Sequence, residues 1–305
     1  MYWLLDKERQ GALRAKIDKL VIELSNTSHK PPHSDQIFPF QGRKAITHAQ
    51  LVINVLTEEN DSICDPFVGS GSFGYAAAQL GRKVYVNEYE PYTFKISSAP
   101  FKLPPRDELT ETFSILIKEA KSALDYYYRS KCVCGEDIVI DSLFFDRVPL
   151  NYSNVEKHER LGRMGENITF RGKHKCKNCG AESKHFDDAD QSVLDEIESI
   201  SVAFPQQRFI ENSRINLTKD FLEYESLFPK RSQVVSTIFW GMIQNLKCSY
   251  DVKNFIECTF LSIVPLMKYK DYRSKSQDLH CPRIKLRETN ILNSFEKQFS
   301  KRVST

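Results

Sequence analysis

One stretch constrains this chain more than any other: residues 63–91, ICDPFVGSGSFGYAAAQLGRKVYVNEYEP. Its apolar approach runs into Asp65-Pro66-Phe67, then Gly69, Ser70 and Gly71, and then the small residues of 72–80. That order reads as strand, glycine turn and helix. Gly81 punctuates the helix end, and Val84 and Val86 alternate with more polar neighbours as a second strand that closes on Asn87 and Glu88. The result is one β-α-β unit with an acid at the tip of its second strand. Such a unit holds a ligand in the crevice beyond the carboxyl ends of its strands, where glycines admit close approach and a carboxylate grips ribose hydroxyls. Gly69, Gly71 and Gly74 satisfy a loose GxGxxG, a weak signal by itself. The Asp-Pro-Phe lead into the turn sets this stretch apart from a dinucleotide fingerprint.

The DPFVGSG run, the AAAQLGR that follows and the acidic strand end together resemble motif I and its sequel in S-adenosylmethionine-dependent amino-methyltransferases, which methylate adenine N6 or cytosine N4 in DNA. The resemblance implies an α/β, Rossmann-like methyltransferase domain. It also implies that Asp65, Pro66, Phe67, Gly69, Ser70 and Gly71 surround the cofactor's methionine part, with Asn87 beside Glu88, which takes the ribose hydroxyls. In such proteins a loop and helix just before motif I help to form the pocket, which makes Phe40, Thr47 and Gln50 candidates by position. Two other roles stay open from the residues alone: Phe40 as a core plug and Thr47 as a helix cap.

At 305 residues the chain has room for one large domain or two modest ones. Its 41% hydrophobic and 27% charged residues are ordinary for a globular protein, and no run approaches the roughly 18 apolar residues of a membrane span. Met1-Tyr2-Trp3-Leu4-Leu5 passes at once into Asp6, Lys7 and Glu8, without the pattern of a secretory signal, so a cytoplasmic location is expected. A net charge of +3 suits nucleic acid without demanding it.

Leu13, Ile17, Leu20, Val21 and Leu24 recur at helical spacing over residues 6–26, as an amphipathic helix with two possible seats, its own domain or another chain. The prolines and glycine of 29–42 make a loop, and 43–56 returns to helical period. Asp107 is placed to start a helix that reaches the run Tyr126-Tyr127-Tyr128, aromatics suited either to packing or to stacking on bases. Residues 186–198 read as an exposed acidic stretch. Further on, Pro229 introduces a helix, Asp251 caps another that Pro265 stops, and a last short helix covers 290–299. These readings divide the chain into 1–128, an N-terminal helix with the cofactor-binding half; 129–186, a zinc-ribbon insertion; and 187–305, a mainly helical region.

Four of the eight cysteines fall in two short pairs, Cys132-Val133-Cys134-Gly135 and Cys176-Lys177-Asn178-Cys179-Gly180. A glycine after each pair suits the tight turn that directs two sulfurs at one ion, and four thiolates make a closed, structural zinc site. The first pair is CxC where CxxC is the commoner form, and four reduced structural cysteines are the competing reading. Between the pairs, residues 157–177 are dense in Lys, Arg and His, a surface suited either to solvent or to phosphates.

An amino-methyltransferase also needs a Pro-Pro pair preceded by Asp, Asn or Ser and followed by an aromatic residue, which holds the target amine and stacks on the flipped base. Pro31-Pro32 follows Lys30 and precedes His33, and Pro104-Pro105 follows Leu103 and precedes Arg106, so these residues contain no such motif. The expectation is a split enzyme: this chain binds S-adenosylmethionine and zinc, and a second methyltransferase subunit completes the sheet, supplies the catalytic motif and acts with it on double-stranded DNA. Two rivals are a self-sufficient methyltransferase acting on RNA or another substrate, and a non-catalytic, zinc-dependent DNA-binding subunit.

Overall fold

A computed structural model describes residues 7–27, 38, 43–146, 168–169, 176–185, 187–208, 224–268, 270–271 and 285–304. The chain is mixed α/β and mostly helical, and it divides into two compact units. Unit 1 comprises Met1–Pro105, Tyr250–Cys258 and Arg302–Thr305, and unit 2 comprises Arg106–Ser249 and Thr259–Lys301.

Unit 1 opens with α1 (Lys7–Ser25) and α2 (Ile46–Leu56), followed by β1 (Ser62–Asp65), α3 (Ser72–Gln79), β2 (Lys83–Val86) and α4 (Pro91–Ser98). The expected β-α-β unit is therefore present. Its strands pair in parallel, with Ser62 opposite Lys83 and Asp65 opposite Val86. Ala49, Ile53, Ala76 and Ala77 form the buried cluster over this pair, with Ile63 and Val84 packed against it. Small residues are needed there because α3 lies so close to the sheet: a Cβ on Gly74 would meet Val86 Cγ1 at 3.1 Å. On α1 only Leu20 is buried, while Ile17, Val21 and Ile22 are exposed. His48 sits half-buried on α2, 3.3 Å from the Thr27 carbonyl. Phe38 is fully buried, edge-on to Phe255 at 5.6 Å, and the Lys95 ammonium pairs with the Glu257 carboxylate.

Unit 2 contains α5 (Arg106–Leu124), β3 (Arg129–Lys131), β4 (Asp137–Val139), β5 (Ser142–Asp146), β6 (Ile168–Thr169), β7 (Ser183–Lys184), α6 (Asp188–Glu198) and α7 (Lys230–Gln244). The helix α8 (Tyr250–Met267) gives Tyr250–Cys258 to unit 1 and its remainder to unit 2; β8 (Lys270–Asp271), β9 (Lys285–Thr289) and most of α9 (Ile291–Val303) complete the chain. β3 and β4 form a hairpin, and β7-β6-β5-β9-β8 form an antiparallel sheet. Aromatic packing dominates the core, with Phe113 stacked on Phe299 at 3.6 Å and Phe239 edge-on to Phe295 at 4.9 Å.

Three local expectations change. Residues 188–198 form an amphipathic helix, because Asp187 and Asp190 make a reciprocal capping box and Val193 and Ile197 point into the core. Pro265 does not stop α8, which runs on to Met267. Ser249 occupies the N-cap position of that helix, and Asp251 lies within its first turn. Of the three tyrosines, Tyr128 is buried packing: its hydroxyl accepts the Ile291 N–H at 3.2 Å.

Beside Tyr128, Arg231 and Glu288 form an ion pair at 3.4 Å with both side chains nearly inaccessible. Burial pushes the Glu288 carboxyl up, against the pull of Arg231. Removing one partner of such a pair costs about 3–5 kcal/mol, whereas replacing both with apolar groups is often neutral. Arg231→Met should therefore lower the urea midpoint sharply, and the double variant Arg231→Met/Glu288→Leu should recover most of the loss.

Candidate functional site

β1 and β2 end side by side, and their exits are tied together. The Asn87 N–H donates to the Asp65 carbonyl at 3.0 Å, and the Val68 N–H donates to the Asn87 carbonyl at 3.1 Å. Asp65 stays half-buried and shapes the first turn, its Oδ1 accepting the Phe67 N–H at 3.1 Å. Pro66 and Phe67 then swing into solvent, with Phe67 83% exposed. The Asn87 side-chain amide reaches back to the Pro66 carbonyl at 3.4 Å.

The chain turns into α3 at Gly71, whose φ of +82° belongs to the left-handed region. A Cβ there would also lie 3.3 Å from the Ser97 carbonyl on α4, so backbone strain and crowding both select glycine. Ser70 Oγ lies 3.1 Å from Ser72 Oγ, and the Ser72 hydroxyl donates to the Lys44 carbonyl at 2.9 Å. That bond brings the start of α2 to the start of α3.

Glu88 closes the arrangement. Its Oε2 accepts the Gly69 N–H at 2.9 Å, and its Oε1 accepts the N–H groups of Tyr89 and Glu90 at 2.9 and 3.2 Å. The Glu90 N–H first, and the Gly69 N–H next, hold this carboxyl below the usual glutamate range. Oε1 thus has two donors and Oε2 one, which leaves a lone pair open on Oε2. Tyr89 beside it is 95% exposed.

The structure thus gathers Asp65, Pro66, Phe67, Gly69, Ser70, Gly71, Asn87 and Glu88 at the adjoining carboxyl ends of β1 and β2. Thr47 lies exposed in the first turn of α2, near the tethered Lys44. Gln50 instead bonds Gln79 at 2.9 Å, at the far end of α3 from the glycine turn. Phe40 and, within the basic stretch, residues 157–167 and 170–175 lie outside the described residues. The tie between Ser72 and Lys44 and the wall provided by Ser97 escape sequence reasoning, because both act through backbone carbonyls, which no residue type marks.

In unit 2 the four paired cysteines converge, with all sulfurs within 4.8 Å of one another. Cys132 and Cys176 are buried, while Cys134 and Cys179 are exposed. The two knuckles follow one plan at different lengths. In the first, the Gly135 N–H donates to the Cys132 carbonyl and the Cys132 N–H to the Glu136 carbonyl; in the second, the Gly180 N–H donates to the Cys176 carbonyl and the Cys176 N–H to the Ala181 carbonyl. The second turn is one residue longer throughout, so CxC and CxxC serve the same geometry. The closest sulfurs, Cys132 with Cys179 and Cys134 with Cys176, are 3.5 Å apart. Zinc–sulfur bonds of about 2.3 Å give a tetrahedral edge of about 3.8 Å, so the set fits zinc, and a disulfide at about 2.05 Å is not formed. The Cys176 thiol is pushed down to about 6, chiefly by the Cys179 N–H directed at its sulfur.

A polar brace fixes this cluster to α6. The Ser130 hydroxyl donates to Asp190 Oδ1, and the Lys184 ammonium, 2% exposed, pairs with Asp187 at 2.6 Å and with Asp190 at 2.9 Å.

Residues 2–99 match the N6_N4_Mtase family model, described as DNA methylase. The match takes in the β-α-β unit and supports an N6-adenine or N4-cytosine DNA methyltransferase family. No curated protein and no solved structure matches the chain significantly. Among the described residues no helix is long and apolar enough to cross a membrane.

Because the folded Glu88 value is depressed, its clasp on Gly69 is complete above the usual 4.5 and is lost as pH falls through the lower folded value. The Gly69 amide resonance should therefore titrate with a midpoint below 4.5. At the cysteine cluster, elemental analysis should find zinc bound to the purified chain, and Cys176→Ser should release it.

Proposed function

We propose that this chain is the S-adenosylmethionine-binding part of a DNA amino-methyltransferase whose catalytic motif comes from a second polypeptide, the two forming a heterodimer on double-stranded DNA. One observation carries this reading: the β1–turn–α3–β2 unit, with Glu88 clasped across the turn to Gly69, lies within the segment that matches the DNA methylase family. The bound cofactor would supply an activated sulfonium methyl. Gly71 lets the backbone approach its methionine part, while Asp65 shapes the loop and Glu88 receives a ribose hydroxyl.

Transfer to a neutral exocyclic amine depends above all on alignment, so a cofactor-holding half and an amine-holding half divide the work naturally. Adenine N6 is the proposed target ahead of cytosine N4. A bacterial restriction-modification or other defence system is the proposed setting, in the cytoplasm. The four cysteines hold a structural zinc.

The test is methyl transfer from labelled S-adenosylmethionine to DNA by the chain alone and by the chain co-expressed with the proteins encoded beside it. Activity is expected only in the pair. Activity of the single chain would overturn the split reading, and a pair that methylates equally well with Asp65→Ala would point to a zinc-dependent DNA-binding role for this chain. Glu88→Gln should weaken cofactor binding to the pair about 10- to 100-fold, the worth of one hydrogen bond to a charged group.

A further inference from the structure

The helix α4 meets the glycine turn at both of its ends. At its start Glu90 is the cap: its Oε2 accepts the Thr93 N–H at 2.5 Å and the Thr93 hydroxyl at 2.7 Å. The Glu90 N–H itself donates to Glu88 Oε1 at 3.2 Å. In the last turn of α4, the Ser97 carbonyl stands 3.3 Å from where a Gly71 Cβ would lie. A shift of α4 therefore moves the acid that clasps Gly69 and the wall against Gly71 together.

Eight residues make barely two turns, too few for a helix to hold itself in water, so α4 takes its position from what it packs against. Thr93, Ile96 and Ser97 are buried. The Lys95 ammonium pairs with the Glu257 carboxylate, 162 residues further along the chain. This is not a freely solvated surface contact, since the Glu257 side chain is 9% exposed and that of Lys95 36%. Tyr92, three residues before Lys95, turns to the same neighbourhood: burial pushes its hydroxyl up to about 12, and Cys258 and Arg302 act on it from close by. The turn of α8 that presents Glu257 is itself fixed. Phe255 packs edge-on to the fully buried Phe38, and the Arg302 guanidinium lies 5.1 Å from the centre of the Phe38 ring. Tyr250–Cys258 and Arg302–Thr305 belong to the same compact unit as the glycine turn.

We propose that Lys95 and Glu257 are positioning residues for S-adenosylmethionine: acting through α4, the pair sets the places of Gly71 and Glu88. This inference rests on the cofactor-binding reading above and is independent of a second polypeptide. It gives α8, which lies far outside the matched residues 2–99, a part in that site.

Two readouts test it. One is the dissociation constant of labelled S-adenosylmethionine, by equilibrium dialysis against the full-length chain, alone and co-expressed with the proteins encoded beside it. The other is the position of the Gly69 and Gly71 amide resonances in the chain without ligand. At a temperature where its circular dichroism matches the wild type, Lys95→Met should weaken binding about tenfold, within the usual range of coupling between separate sites, and shift both resonances. The charge-swapped double variant Lys95→Glu/Glu257→Lys should recover most of both effects. Glu257→Gln, which keeps the shape of the side chain, gives the same comparison if Lys95→Met does not fold.

Unchanged affinity with unshifted resonances would overturn the positioning role. So would a loss of affinity that the charge swap leaves unrestored, because the pair would then serve folding alone. A wild-type protein that binds no S-adenosylmethionine in either form would instead overturn the cofactor reading, while the resonances would still decide whether the pair positions the turn.

Discussion

Everything at the glycine turn depends on how closely α3 lies against its neighbours. Gly71 meets the Ser97 carbonyl, Gly74 meets Val86, and Ala76 and Ala77 are fully buried over the strand pair. Any larger residue would lift the helix and, with it, the turn that β1 feeds. Once the helix is seated, the rest follows from hydrogen bonds of ordinary length: Asp65 turns the chain, Asn87 links the two strand exits, and Glu88 clasps Gly69. The Asp65 and Glu88 carboxylates thus hold the loop through its own backbone N–H groups.

The cysteine cluster solves a different problem by similar means. Its strands are only two or three residues long and cannot bury a core of their own. Two glycine-closed turns bring the sulfurs together, and the Lys184–Asp190–Ser130 brace ties them to a helix whose same buried face carries Val193 and Ile197. Lys184 and Asp190 are almost fully buried, so losing Lys184 would leave the Asp190 carboxylate buried without its cation, whereas Lys184 keeps Asp187 as a second partner.

Much of this was legible in the residues. The β-α-β unit was readable because glycine punctuation and alternating valines are local signals, and the paired cysteines because two short Cys pairs, each followed by glycine, suit two tight turns that aim four sulfurs at one point. Helix 188–198 was misread because acid-rich composition masks a capping box; the i, i+4 pair Val193 and Ile197 was the signal to follow. Pro265 misled because a proline near a helix end can be carried where the lost hydrogen bond belongs to the last turns.

The most direct measurement is ultraviolet cross-linking of methyl-labelled S-adenosylmethionine to the active complex, followed by mapping of the labelled peptide. The account predicts label on this chain within residues 63–91, at the glycine turn or beside Glu88. Label confined to another polypeptide, with none on this one, would contradict it.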